Sequence, residues 1–389
     1  MNNLVRTSYK QEDVTILLKD LTDLGISARS TEEREKLIQS GVHYSEMLPL
    51  EYVPTSEYIE IYNKALAEES YSTATAAATM SEAILEHKGI EQGKNDKLVI
   101  VSLARAGIPA GILCKRYINR FHPWVDLKHY SISIIRGKGI DVNAMNYIAE
   151  RHNPKDIVFM DGWTGKGAID TVLKEAVHSL KANDPEKWAD LSDELAVIAD
   201  PANICKMCGT HEDLLIPSSC LNSTVSGLVS RTILNDKYID VKAGDFHGAV
   251  YFGTSAEMLK EDKSYEFIDK IDSFFSIYDS EILELIKKKA VVILDKDIKK
   301  LQKGLDVVKC ISEKEGIEDV NKIKPGIGEC TRVLLRRVPK KVLVNNVSIG
   351  EKCLEHIFQL CKERNVPIEA SMGTGMYKVI GVIADLSDV

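Results

Sequence analysis

Long apolar runs are missing from this 389-residue chain, and none approaches the roughly 18 residues that a membrane-spanning helix needs. The opening residues, MNNLVRTSYKQED, lack the basic-then-apolar order of a secretory signal. These absences exclude the usual membrane classes and point to a cytoplasmic protein with no membrane partner. Cysteine is sparse as well. The eight cysteines, spread from Cys114 to Cys361, are too thin for a small disulfide scaffold, so most are expected reduced. A G-x-G-x-x-G dinucleotide pattern is absent. So is a Walker A loop, because Met160 and Gly167 stand where that pattern needs a Gly before Gly165 and a Ser or Thr after Lys166. No cysteine lies in a family-specific protease signature.

What is present is ordinary for a globular chain, with 44% apolar and 28% charged residues and a length that fits two or three domains. The net charge of -8 argues against a generic nucleic-acid binder. The charge is uneven, however: from Ile282 to Val389 there are 20 Lys and Arg against 15 Asp and Glu. The end of the chain is its basic part.

Residues 1–93 read as a helical N-terminal layer, with helical stretches Gln11 to Leu24, Ser56 to Glu69 and Tyr71 to His87. From 94 to 280 strands alternate with helices: LVIVSLA (98–104), HYSISII (129–135), IVFMD (157–161) and LAVIAD (195–200), with helices at AGIPAGILCKRYINR and from Lys166 to Leu180. That alternation predicts a mostly parallel sheet. A long helical stretch from Tyr265 to Lys289 precedes a second, smaller α/β unit at 281–389. Its strands are expected at AVVILD (290–295), TRVLLRR (331–337), KVLVNNV (341–347) and YKVIGVIAD (377–385), with a helix from Gly350 to Arg364.

Ligands of open parallel sheets sit beyond the carboxyl ends of the strands, which singles out the turns LARAGIPAG and DGWTGKGA. A glycine turn at a helix start exposes backbone N–H groups and the positive dipole end, a ready anion site. Arg105 suits a second anionic group and Asp161 precedes the first, so the pair fits a phosphorylated, hydroxyl-rich ligand. The bland alternatives are tight glycine packing onto a helix and a helix-capping role for Asp161. Cys205-Lys-Met-Cys208-Gly-Thr-His211 offers three borderline ligands for zinc, although no second pair follows at ribbon spacing.

LVIVSLARAGIPAGILCKR resembles the pyrophosphate loop of type I phosphoribosyltransferases, and VFMDGWTGKGAI resembles their phosphoribosyl-pyrophosphate (PRPP) motif. The usual motif has two adjacent acids, whereas Asp161 stands beside Gly162. Over nearly the whole chain, GVHYSEMLPLEY (41–52), LIPSSCLNSTVSGLVSRTIL (215–234) and GDFHGAVYFG (244–253) resemble phosphoribosyltransferase-like proteins of bacterial tellurite and stress-resistance loci. That group is often labelled cysteine protease StiP and carries a C-terminal Pelota-like RNA-binding domain.

The resemblance implies PRPP-dependent phosphoribosyl transfer to an unidentified acceptor, with magnesium accompanying PRPP. Thr164, Gly165, Lys166 and Gly167 would hold the 5'-phosphate, Asp161 with Gly162 the ribose, and Arg105 with Ala106 and Gly107 the pyrophosphate. Arg136 and Lys138 would form a flap over the leaving group, with Asp161, Arg105 and Lys138 as the catalytic set. Ser230, Arg231, Asp245 and His247 would surround the acceptor. A thiol protease using Cys220 with His247 or His211 is the main alternative, and a non-catalytic nucleotide binder the other. In the C-terminal domain KPGIGECTRVLLRR resembles the glycine-rich entry to a helix contacting structured RNA, through Gly326, Gly328, Glu329 and Arg332, with Gly373 on a second RNA-facing loop. A homo-oligomer stays open.

Overall fold

The computed structural model describes residues 3–384. Its main sheet has six parallel strands: β1 (Thr15–Ile16), β2 (Lys97–Leu103), β3 (Asp126–Ile132), β4 (Ile157–Trp163), β5 (Leu195–Ala199) and β6 (Cys208–Thr210), in the spatial order β1-β3-β2-β4-β5-β6. Strands β2, β4 and β5 read as near-continuous apolar runs because both faces of a parallel sheet are covered, whereas β3 (DLKHYSI) alternates. One face packs on helices α1 (Ser56–His87) and α2 (Gly107–Phe121), the other on α3 (Ala168–Asn183).

The N-terminal region departs from the expected layer. Gln11 to Leu24 is no helix; it holds β1, a two-residue strand Lys19–Asp20 and a short 3-10 turn Thr22–Leu24. In contrast, the two helices expected between Ser56 and His87 are one, of 32 residues. No glycine or proline interrupts it, Thr55 caps its start through the Tyr58 N–H, and its central alanines are buried. The stretch from Tyr265 to Lys289 is split into α4 (Ser264–Phe275) and α5 (Ser280–Asp295).

AVVILD therefore belongs to α5 and is not a strand. Ile286, Ala290 and Ile293 recur at helical spacing on its buried face against α1. After α6 (Gly304–Glu315), a second sheet runs in the order β7-β10-β8-β9: β7 (Ile323–Pro325), β8 (Pro339–Asn345), β9 (Ile368–Ser371) and β10 (Val379–Ile383). TRVLLRR, expected as a strand, lies in α7 (Ile327–Arg336), where Ile327, Cys330 and Leu334 point to the core. Helix α8 (Glu355–Glu363) follows beside it.

The two sheets share one core: Ile327, Cys330, Leu334, Ile357 and Leu360 of the second domain are continuous with the apolar cluster under α1 and α2. Polar ties reinforce the seam. Arg337 makes a two-pronged contact with Glu35 at 2.8 Å, and the Tyr52 hydroxyl donates to Glu363 at 2.7 Å. Among the described residues no helix is long and apolar enough to cross a membrane.

Candidate functional site

Strands β2 and β4 are direct neighbours, so the turns after them meet. A Cβ on Gly107 would lie 2.5 Å from the Met160 carbonyl oxygen, and one on Gly162 would lie 3.2 Å from that of Ala106. Arg105, Ala106, Asp161 and Trp163 thus line one cavity of about 150 Å3. The Arg105 guanidinium donates to Glu51 and to the Val229 carbonyl, both at 3.0 Å. Burial works against charge on Glu51, but Arg105 and Arg336 outweigh it and hold its carboxyl below the ordinary range. Burial pushes Asp161 up to about 6, with Arg332 opposing.

The glycine turn itself is covered by the second domain. Glu329 lies against Gly165, the Tyr377 hydroxyl donates to the Gly165 carbonyl at 2.6 Å, and the Lys166 ammonium donates to the Val320 and Ile323 carbonyls. Burial, aided by Lys324 and Arg136, brings Lys166 down to about 7. Thr164 donates to Asp200 at 2.7 Å, and Gly167 takes φ 90° at the start of α3. The expected phosphate cradle is therefore part of the domain seam.

The remaining expected residues scatter. Arg136 bonds Asn321, and Lys138 sits on an exposed turn beside a separate cavity of about 520 Å3. Arg231 joins the first cavity, stacked 4.9 Å over Tyr44. Ser230 bonds the Val250 N–H, Asp245 pairs with Lys19 at 2.6 Å, and the His247 ring bonds Ser133 at 2.8 Å; none of these three lines that cavity. Gly326, Gly328, Glu329 and Arg332 lie in the seam: the Ile327 N–H donates to Asp213 and Arg332 stacks on Trp163, while Gly373 neighbours Ile311 and Lys314.

The cysteine pairing expected for a thiol enzyme also changes. Cys220 is as fully buried as Cys208, with its carbonyl held by the Tyr58 hydroxyl, and burial drives both thiols up. His211 and His247 are engaged elsewhere. His211 instead meets Cys208, whose sulfur is 3.6 Å from Nε2 and 3.9 Å from Nδ1. Nδ1 lies 3.2 Å from the Asp200 carboxylate and equally far from its carbonyl.

The fold makes this arrangement because β5 and β6 are parallel neighbours, pairing Ala199 with Thr210, so Asp200 and His211 emerge side by side. Gly209 permits it, since a Cβ there would come 2.1 Å from the Ala76 carbonyl on α1. The Asp200 carboxylate is fixed by Thr164 and by the N–H groups of Ile204 and Cys205, each at 2.8 Å. Burial, then Asp200, raise the Cys208 thiol, and Lys296 and Lys289 oppose them. Asp200, Cys208 and His211 also keep their ligand atoms within 4.8 Å of one another, whereas the expected zinc set had Cys205 in place of Asp200.

A thiol, an imidazole and a carboxylate meeting at the edge of a parallel sheet define the class as an α/β protein with a cysteine–histidine–aspartate cluster. The chain belongs to the family described as "Tellurite-like stress resistance cysteine protease StiP", whose model matches residues 7–272. A PELOTA RNA binding domain model matches residues 302–385. A protein of Acinetobacter baylyi named "Cysteine protease StiP" is 34% identical over 365 residues, covering 91% of this chain and 88% of that one. No solved structure matches. These matches correct the transferase reading: the family and the relative are described as cysteine proteases, so PRPP transfer is set aside, and with it the reason for expecting magnesium.

Proposed function

We propose that the chain is a cysteine-dependent peptide hydrolase in which Cys208 is the nucleophile, His211 its base and Asp200 the group that orients the imidazole. The observation that carries this is the convergence on the His211 ring of the Asp200 carboxylate, 3.2 Å from Nδ1, and the Cys208 sulfur, 3.6 Å from Nε2 and 3.9 Å from Nδ1. The Asp200 carboxylate steadies the imidazolium that forms when Nε2 takes the thiol proton.

Burial keeps the sulfur protonated at rest, so attack must pass its proton to His211. The sulfur then adds to the scissile carbonyl, the C–N bond breaks, and the imidazolium protonates the leaving amine. Water, deprotonated by the same imidazole, cleaves the thioester and restores the thiol. Alkylation with iodoacetamide followed by peptide mass spectrometry tests the assignment. Cys208 labelling that is lost in His211→Ala supports it; labelling confined to exposed Cys310 argues against it.

A second reading rests on the same cluster. Asp200, Cys208 and His211 are borderline ligands at a spacing that fits zinc, which leaves a fourth position for water. Stoichiometric zinc in the purified protein, lost in Cys208→Ala, would favour it.

A further inference from the structure

Four guanidinium groups converge on the cavity at the domain seam: Arg105 and Arg231 from the first domain, and Arg332 and Arg336 from one face of α7. Among the described residues three carboxylates oppose them at close quarters: Glu51 on Arg105 at 3.0 Å, Glu329 on Arg332 at 2.6 Å, and Asp161. The crowding is visible in the chemistry. Burial, then Arg105, Arg332 and Arg231, push Arg336 well below the usual guanidinium range, and burial followed by Arg34 brings Arg231 down to about 10. Crowded cations that outnumber the anions beside them are a costly arrangement for a fold to keep.

Donors are also left over. Arg105 Nη2, Arg332 Nε, Trp163 Nε1 and Ser219 Oγ are buried without a hydrogen-bond partner, and all four residues line this one cavity. Native interiors rarely leave so many donors unmatched in one place.

We propose that this cavity binds a small anion with two or more negative charges, carried by phosphate or carboxylate groups, and that the second domain supplies half of its cationic wall. Planar guanidinium groups offer paired N–H donors to either kind of oxygen anion, and the leftover indole and hydroxyl donors add direction. The second domain is thereby a component of the site, since α7 brings Arg332 and Arg336 to a pocket whose floor is Arg105 and Asp161. The site does not include Cys208, so it stands whichever way the thiol experiments fall.

The test is calorimetry and thermal unfolding of the full chain with inorganic phosphate and with succinate, each matched for ionic strength with sodium chloride. Expected is one-to-one binding of at least one anion with a raised Tm, and at least tenfold weaker binding in Arg332→Met and in Arg336→Met. Whichever anion binds more tightly names the group recognised. Because removing a crowded charge relieves repulsion, Arg336→Met is expected to match or exceed the parent Tm without anion, which separates lost binding from misfolding. No stabilisation beyond chloride with either anion, or binding unchanged in both variants, would overturn the proposal.

Discussion

The Arg332 guanidinium lies 4.4 Å over the Trp163 ring, joining the helix that opens the second domain's α7 face to the last residue of β4. Beneath the same ring Gly328 makes room, because a Cβ there would come 2.3 Å from it. Gly328→Ala is therefore expected to force the indole aside at a cost of about 1–3 kcal/mol. Trp163→Ala, which loses the stacking and part of the seam's apolar area, should cost about 2 kcal/mol. Urea unfolding of the two variants checks both values.

Asp213 bridges the domains by accepting from the N–H groups of Ile327 and Lys378, both at 2.9 Å. Asp213→Ala would strand two buried donors, at about 1–3 kcal/mol each. Burial raises its carboxyl to about 6, above the unfolded value near 3.9. The folded state thus holds the proton more tightly, and this group's contribution to stability grows as pH falls from above 6 toward 4. Asp213→Asn should flatten that part of the profile, measured as the urea midpoint against pH.

Asp161 gives the anion pocket its own pH dependence. Its carboxyl, raised to about 6 by burial, repels an incoming anion while ionised. At pH 7 Asp161→Asn is expected to bind either anion more tightly than the parent, and the difference between the two proteins to shrink as pH falls to 5, as read by calorimetry at fixed ionic strength.

Asp200→Asn keeps the shape of the orienting residue while removing its charge. Peptide hydrolysis should fall by roughly 10²- to 10⁴-fold in kcat with little change in KM, because substrate binding does not use this side chain. A parallel rise in KM of similar size would mean that the substitution had disturbed the seam through Thr164 instead.

Much of the sheet was legible because strands buried on both faces read as unbroken apolar runs, as in LVIVSLA and LAVIAD. AVVILD and TRVLLRR deceived for the same reason: short apolar runs do not distinguish a strand from the buried side of an amphipathic helix. Reading the second as a strand hid the fact that Arg332 and Arg336 stand one helical turn apart over the first domain's turns. The meeting of the Arg105 and Asp161 turns followed from strand-end logic. Cys208 and His211 were visible together in CKMCGTH, yet as zinc ligands. What sequence spacing did not show was Asp200, at the end of the neighbouring strand, which adds a carboxylate to the cysteine–histidine pair. Glu51 lies in the stretch GVHYSEMLPLEY, yet nothing there singled it out, since only the fold brings it to Arg105.

The identity of the nucleophile is the claim on which the hydrolase account turns, and kcat/KM for a peptide pool in Cys208→Ala and Cys220→Ala tests it most directly. The account predicts that hydrolysis disappears in Cys208→Ala and survives in Cys220→Ala with both proteins folded. Hydrolysis that persists without the Cys208 sulfur, or that vanishes only when Cys220 is replaced, would contradict it.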